Sequence, residues 1–388
     1  MKQTIRKLGS LADITARNEK RVEQEWLKAL PYLRDRGGVV FLSNCRFWER
    51  HGQPQRSLAT TLTQYQIPTT WFDGRDRGGY SPVFTDNSPL LQVRTLPSLP
   101  GERYSLIMKA SRLWQTDRIL STLRAFPKKP LLWVQAGFDS EIITKLPYLD
   151  VYSYFDDLFA HQPGDALFQR AKVVLTQNDY GAELYGQNPK IHRLFPPLEV
   201  SAQVLGQNTI PNLPSGFPSR RMGYIGSLFA GYFDFDLLEK FIVAFPGWGF
   251  VIGGRVDEAA TARIDALSRF PNFKFLPWIE RSQVSSYWKL LDVCLLLYRP
   301  QRAQLGSFAT KALESLYYGV PIVAVDEPKT EVLGHYFPVT SDSSELMEAA
   351  VKLGTEGSPH LEAAFEYLVY EMHPKRHLAQ VVKWLEKK

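Results

Sequence analysis

Short apolar runs alternate with amphipathic stretches along most of this chain, and that alternation sets the expected architecture. In the first half, GGVVFLSNC reads as a strand ending near Ser43, a helix-forming stretch covers Gln55 to Tyr65, and IPTTWFDG gives a second strand. Further strands are expected at YSLIMKA, LLWVQAG, VYSYFDD and AKVVLTQN. The stretch Ile14 to Leu33 carries Glu, Lys and Arg between spaced Val, Trp and Leu, which predicts an amphipathic helix before the first domain. Strand-length apolar runs separated by helical patterns indicate βαβ units and a parallel sheet.

The pattern lapses over 198–220, where Pro, Gly, Asn and Ser dominate without a period; this is the expected linker. Alternation then restarts with strands at MGYIGS, WGFVIGG, FKFLPW, DVCLLLY and VPIVAVD. Helices are expected at FDLLEKFIVAF, SSYWKLL and TKALESLYYG. The expected fold is therefore α/β, with two Rossmann-like, doubly wound parallel-sheet domains. They occupy 1–197 and 221–372 and face each other across a cleft at the carboxyl ends of their strands, where ligands of such folds bind. Residues 373–388 read as a further helix, containing Trp384.

Composition narrows the class. The 388 residues are 44% hydrophobic and 22% charged, which fits two globular domains. Two cysteines, Cys45 and Cys294, lie in strand-like runs and read as packing residues in a reducing compartment. The opening stretch MKQTIRKLGSLADITARNEK holds no apolar signal core, and no run reaches the roughly 20 apolar residues of a membrane span. A cytoplasmic protein is expected, peripheral to the inner membrane face at most. The net charge of +6 fits affinity for phosphate or an anionic membrane surface, and fits solvated surface charge equally. No basic stripe interleaved with aromatics or nucleic-acid motif is present, so nucleic acid is not an expected partner. No Gly-x-Gly-x-x-Gly follows a strand, which disfavours a nicotinamide oxidoreductase.

Candidate chemistry concentrates in GSFATKALESLYYGVPIVAVD. Gly306 and Ser307 precede a helical run, with Ser307 as the expected N-cap. The free N–H groups at Phe308 and Ala309 and the helix dipole suit a phosphate. Lys311 and Glu314, three apart, share a face. Glu314 lies roughly 10 Å along the axis from the cap, a separation that suits a diphosphate at the helix start and ribose hydroxyls at the carboxylate. An ordinary amphipathic helix with a Lys–Glu pair on its wet face gives the same spacing. Gly226 and Ser227 in GYIGS, Gly253 and Arg255 in VIGGR, and Trp278 and Ile279 in FLPWIERSQVSSYW supply glycine turns, a cation and a possible wall for a nucleobase.

In this order these elements resemble the donor domain of GT-B glycosyltransferases, group 1-like. Gly226, Gly253, Asp292, Glu314, Gly319 and Pro321 carry the resemblance, over about 221–350. It implies a nucleotide diphosphate sugar as donor, ribose held by Glu314, pyrophosphate held by the 306–309 backbone with Lys311, and a C-terminal helix, 373–388, that crosses back onto the first domain. The expected function is sugar transfer to a hydroxyl of a saccharide or lipid-linked acceptor in polysaccharide or glycoconjugate biosynthesis. The alternative is a non-catalytic sugar-nucleotide binding protein of the same fold. Two departures from the pattern leave stereochemistry open. Gly306 stands where many retaining relatives carry Glu, and 227–232 contain no basic residue, so Arg299 or Arg302 would have to supply that charge.

An inverting transfer needs a base for the acceptor hydroxyl. Asp156 and Asp157, adjacent carboxylates in VYSYFDDLF, are the candidates, with Asp156 favoured, and helix capping by one of them is the competing role. His51, Gln55 and Arg56 in WERHGQPQRSL are candidate acceptor contacts, Arg56 for an anionic acceptor such as a lipid pyrophosphate and His51 as a rival base. Asp234 and Asp236 spell Asp-x-Asp, but Asp236 is expected to be a helix N-cap. No metal and no cofactor are expected.

Overall fold

The central strand runs VVFL, LLWVQ, GFVIG and VCLL are buried at every position because those strands are covered on both faces, as parallel sheets require. The computed structural model describes residues 2–43, 54–73, 84–85, 90–96, 99–101, 103–154, 165–176, 188–197, 213–277, 279, 283–299, 310–325 and 334–387. The chain divides into two units, one formed by Glu19–Glu199 with Glu371–Lys388 and the other by Met1–Asn18 with Val200–Tyr370.

The N-terminal unit opens with α1 (Lys2–Asp35), a helix shared between the two units, followed by β1 (Val39–Leu42), α2 (Pro54–Gln64), β2 (Thr69–Asp73), β3 (Phe84–Thr85) and β4 (Leu91–Thr95). Next come α3 (Ser105–Ala125), β5 (Leu131–Gln135), α4 (Ser140–Lys145), β6 (Leu149–Tyr154), α5 (Asp165–Arg170), β7 (Ala171–Thr176) and β8 (Ile191–Arg193). The sheet order is β3-β4-β2-β1-β5-β6-β7-β8, parallel except for the β3–β4 pair. Alternate residues of the central strands serve opposite faces. Phe41, Trp71 and Trp133 join a core with Trp26 of α1 and Leu62 of α2. Leu42, Phe72 and Val134 join another with Ile119 of α3 and Ile142 of α4.

The C-terminal unit holds β9 (Arg221–Ile225), α6 (Phe235–Ala244), β10 (Gly249–Gly253), α7 (Glu258–Leu267), β11 (Phe273–Leu276), α8 (Val284–Trp288), β12 (Val293–Leu296), α9 (Thr310–Tyr317) and β13 (Ile322–Ala324). Two helices close it, α10 (Ser343–Glu356) and α11 (Leu361–Glu371), before α12 (Pro374–Glu386) returns to the N-terminal unit. Its sheet runs β11-β10-β9-β12-β13, all parallel.

Two local expectations are corrected. YSLIMKA is not a strand: it opens α3, which continues without Gly or Pro to Ala125. The helix ends there because Pro127 disfavours a helical conformation at Phe126. Asp236 is not the N-cap of α6. Asp234 is, accepting from the Leu237 N–H at 2.9 Å, while Asp236 lies exposed in the first turn and pairs with Arg263.

The return of α12 rests on specific contacts. Lys375 Nζ donates to Glu23 Oε2 at 2.5 Å, and Tyr65 Oη donates to the same carboxylate at 2.9 Å. Trp384 stacks on His192 with ring centroids 4.1 Å apart, and His377 lies over Trp133 at 6.0 Å. Burial holds His377 neutral, its pKa pushed down to about 3 against an ordinary 6.5; the Arg376 charge adds to this, and a backbone contact at Phe195 opposes it.

Because the folded pKa lies below the unfolded one, the unfolded chain binds the extra proton. Stability from this group is complete above pH 6.5 and falls as pH drops toward 3. Between pH 7 and 5.5 the loss is expected to be about 1 kcal/mol. Urea titrations across that interval check it: a His377→Phe variant should show a flatter pH dependence than the parent chain.

Candidate functional site

In parallel sheets the carboxyl ends of the strands collect the chemistry, because the loops leaving them are free of pairing. In the C-terminal unit, the loops after β9 and β10 are stitched together beyond the strands. Gly226 N–H donates to the Gly253 carbonyl at 2.8 Å, and Leu228 N–H to the Arg255 carbonyl at 2.7 Å. The Asp257 carboxylate accepts from Ala230 N–H at 3.2 Å and from Ala260 N–H at 2.7 Å, so one side chain fixes the β9 loop and caps α7. Behind the β9 loop, Tyr224 and Tyr298 share a hydroxyl hydrogen bond of 2.9 Å.

Glycine is obligatory at one point of this edge. Gly254 has φ +132, and a Cβ there would meet the Gly226 carbonyl oxygen at 2.0 Å. A Cβ on Gly253 would meet the Ile279 side chain at 2.6 Å, so Ile279 lies directly over that glycine. The structure therefore brings Gly226, Ser227, Gly253, Arg255 and Ile279 to the same edge of β9 and β10. Ser227 is half-buried, and its carbonyl lies 3.4 Å from the Tyr232 hydroxyl. Arg255 is exposed, with its guanidinium 5.8 Å from the centre of the Phe229 ring.

Helix α9 links β12 to its parallel neighbour β13, so its first turn starts at the carboxyl edge. Lys311 and Glu314 form a half-buried ion pair there, Nζ to Oε2 at 2.7 Å. Oε2 is thus occupied, while Oε1 accepts no hydrogen bond from a described residue. Beneath the pair, Ser315 Oγ donates to the Val320 carbonyl at 2.9 Å, and Gly319, at φ +76, ends the helix. Cys294 of β12 is fully buried and its thiol is pushed up to about 12 by that burial, which makes it a packing residue rather than a nucleophile. Gly306, Ser307, Phe308 and Trp278 lie outside the described residues, as does Arg302.

Asp292 takes no part in this edge. It stands just before β12, at the opposite end of the sheet, where Oδ2 accepts from Arg221 N–H at 2.7 Å. Burial raises its pKa, with that hydrogen bond and the Arg221 and Arg220 charges pulling the other way. Its role is to start two adjacent strands.

In the N-terminal unit the carboxyl edge is lined by buried polar residues. Ser43, Asp73, Gln135 and Thr176 each close or directly follow a strand, and Ser153 is the penultimate residue of β6. Gln55 in the first turn of α2 is also buried, and Arg56 beside it is half-buried. The amide oxygens of Gln55 and Gln135 are buried without a hydrogen-bond partner among the described residues, a state that costs about 1–3 kcal/mol per group unless a ligand or water satisfies it. Gln135 was not anticipated from sequence, although a polar residue closing LLWVQ just before Gly137, at φ +85, is the available signal. Asp156 and Asp157, which follow β6 in the chain, and His51 lie outside the described residues. No group of His, Cys, Asp and Glu among the described residues has a metal-binding arrangement.

No known family profile matches the chain. Among curated proteins it is similar to one from Bacillus subtilis (strain 168) assigned as a teichuronic acid biosynthesis glycosyltransferase, TuaH. Identity is 24% over 269 residues, covering 65% of this chain and 64% of that relative's length. Among solved structures, it resembles a UDP-forming α,α-trehalose-phosphate synthase from Burkholderia vietnamiensis, with TM-score 0.65, 12% identity, and 91% of this chain and 99% of that one covered. Sucrose-phosphate synthase from Thermosynechococcus elongatus matches with TM-score 0.57, 14% identity and coverage of 90% and 94%. The Anabaena protein HepE, solved in complex with UDP and glucose, matches with TM-score 0.59, 12% identity and coverage of 90% and 100%. These likenesses establish the GT-B fold, in which both units are parallel-sheet α/β domains.

The edge geometry yields a stability test. Gly254→Ala forces a carbon against the Gly226 carbonyl and a left-sided φ on alanine, so a loss of about 2 kcal/mol or more is expected, read as a lowered denaturation midpoint. Gly231→Ala in the same region, where a Cβ meets nothing within 4 Å, should change the midpoint little.

Proposed function

We propose that this chain is a glycosyltransferase that moves a sugar from a nucleotide diphosphate sugar to a hydroxyl of a saccharide or lipid-linked acceptor, in polysaccharide or glycoconjugate biosynthesis. The observation that carries the reading is the half-buried Lys311–Glu314 pair on the helix after β12, within a GT-B fold. A relative assigned as a glycosyltransferase and a fold neighbour holding UDP and glucose support the same direction.

In this reading Glu314 accepts the ribose hydroxyls through its unoccupied oxygen. Lys311 and the backbone at Gly306, Ser307 and Phe308 face the diphosphate, and Trp278 and Ile279 flank the base. Charge developing on the departing diphosphate is met by fixed donors and cations, which reorganise less than water does. Arg255 and Arg299 are the further described cations near that edge. Gln55, Arg56 and His51 bind the acceptor, and Asp156 or Asp157 takes its proton if the transfer inverts configuration. No metal or cofactor is assigned to the step. No helix among the described residues is long and apolar enough to cross a membrane, so a lipid-linked acceptor would be met by surface contact.

The second reading, a sugar-nucleotide binding protein without turnover, draws on the absence of any basic residue from Ser227 to Tyr232. Binding and turnover separate the two readings.

Thermal melting in the presence of uridine, guanosine, adenosine and thymidine diphosphates should show an upward shift with one of them. At ligand about 100 times Kd the shift should be about 3 °C or more. Glu314→Ala should abolish that shift, and retention of the full shift removes the ribose assignment. Asp156→Asn and Asp157→Asn should each keep the donor-induced shift. One of them should lose about 100-fold or more in transfer to acceptor, followed by release of the nucleoside diphosphate. Donor binding with no release of diphosphate in the parent chain, across saccharide and lipid-linked acceptors, decides for the non-catalytic reading.

A further inference from the structure

One face of the N-terminal sheet changes character at its carboxyl edge. Phe41, Trp71, Trp133 and Val151 lie on the face packed against α1 and α2. Two residues further along each strand, alternation returns the chain to that face. The residues found there are Asp73, Ser43, Gln135 and Ser153, on the neighbouring strands β2, β1, β5 and β6, and each is at most 5% exposed. Gln55 joins them from the first turn of α2. It is buried three and four residues ahead of Leu58 and Ala59, which cover the same core.

Connectivity marks the middle of this row. The chain runs outward from β1 through β2 to β4, then restarts at β5 on the other side of β1 and runs outward through β6, β7 and β8. Open α/β sheets take ligands in the crevice above such a reversal, because the loops leaving the two strands diverge. Gln135 closes β5 and Ser43 follows β1, so both stand at the reversal.

Part of the row is satisfied within the chain. Ser153 Oγ accepts from Trp133 Nε1 at 3.0 Å, and Ser43 and Asp73 are engaged as well. The amide oxygens of Gln135 and Gln55 differ: both are buried, and neither accepts a hydrogen bond among the described residues. A buried amide elsewhere is fully used, since Asn272 Nδ2 donates to the carbonyls of Ile242, Phe245 and Trp248 at 3.1, 3.3 and 3.2 Å. The Trp26 indole N–H also lacks a partner among the described residues, but it is sealed inside the core.

Stability does not account for a glutamine at the end of LLWVQ. An apolar residue of the same shape would leave no stranded oxygen, and such replacements are neutral or stabilising. A bound group that donates to the amide does account for it. A carboxylate or phosphate has no hydrogen to offer that oxygen and meets Asp73 as a like charge. A sugar hydroxyl donates to the oxygen and can accept from the amide N–H groups in return.

We propose that Gln135, together with Gln55, binds the acceptor through uncharged sugar hydroxyls and selects a neutral sugar ring over a phosphorylated or carboxylated one at this edge. The inference rests on the transfer reading for the ligand's role as acceptor. The saccharide site itself stands on the row of side chains.

Saturation-transfer NMR on the full chain tests it, with and without nucleoside diphosphate. The neutral probes are methyl glycosides of glucose, galactose, mannose and N-acetylglucosamine, and the charged ones are glucuronate and glucose 6-phosphate. At least one neutral glycoside should bind, and neither charged sugar should displace it. Gln135→Met keeps the side-chain length and removes the oxygen, so binding should weaken about tenfold while the variant melts at or above the parent. Gln135→Glu keeps an acceptor oxygen at the same reach and should retain most of the binding. If the methionine variant melts low, Gln135→Leu repeats the measurement. Where turnover is followed, Gln135→Met should raise the acceptor KM about tenfold and leave the donor KM unchanged. Undiminished glycoside binding in the apolar variants overturns the proposal and assigns the amide to a structural water. Displacement by a charged sugar overturns it too, as does a parent chain that binds no neutral glycoside. A chain that binds a glycoside through Gln135 yet shows no nucleotide-induced thermal shift sinks the donor reading alone, so the two failures are told apart.

Discussion

A carbonyl oxygen at Gly226 fills the space where any other residue at 254 would place its Cβ, and the donor edge of the C-terminal unit depends on that closeness. Because the two backbones touch, the loops leaving β9 and β10 continue as a ladder through Gly226, Leu228 and Ala230 instead of separating. The N–H groups used in this ladder are committed to protein. Glycine at 226 and 254 therefore serves the packing of the edge against itself. In sequence such glycines read as turns at strand ends, a feature that also lets a phosphate approach the backbone closely. The same residue type answers both needs, and only coordinates separate them.

Both units obey one division of labour. Strand interiors are apolar on two faces and exclude polar chemistry, so polar residues gather where strands end. The two ends are not equivalent. At the amino end of β12, Asp292 is consumed by the Arg221 backbone, and at the start of β6 the buried Asp150 is consumed by Arg36 and Lys172. At the carboxyl ends, Gln55, Gln135 and Glu314 keep an oxygen without a described protein partner. Satisfied charges hold the fold, and unsatisfied acceptors are what a hydroxyl-rich ligand requires.

The parallel strands were legible because burial on both faces writes an uninterrupted apolar run into the sequence, as in VVFL, LLWVQ and VCLL. The Lys311–Glu314 pair was legible too, since three residues apart on a helix means one face whatever surrounds it. Capping was misread at Asp236 because Asp-x-Asp offers two acids, and only the backbone turn shows that Asp234 reaches the Leu237 N–H. Asp257 gave no signal at all. It is an ordinary N-cap in sequence, and its second bond to Ala230 joins residues 27 apart in the chain.

The misreading of YSLIMKA has a different cause. Sequence patterns are interpreted on the premise that apolar side chains point inward and polar ones outward. Helix α3 violates that premise, burying Ser111 and Gln115 and exposing Leu106 and Leu113, so its apolar opening YSLIMKA reads as a strand. Within that interior Ser111 accepts from the Leu99 N–H and Thr116 donates to the Arg112 carbonyl. That interior forgoes the gain of apolar burial, roughly 1.5–3 kcal/mol for each large side chain.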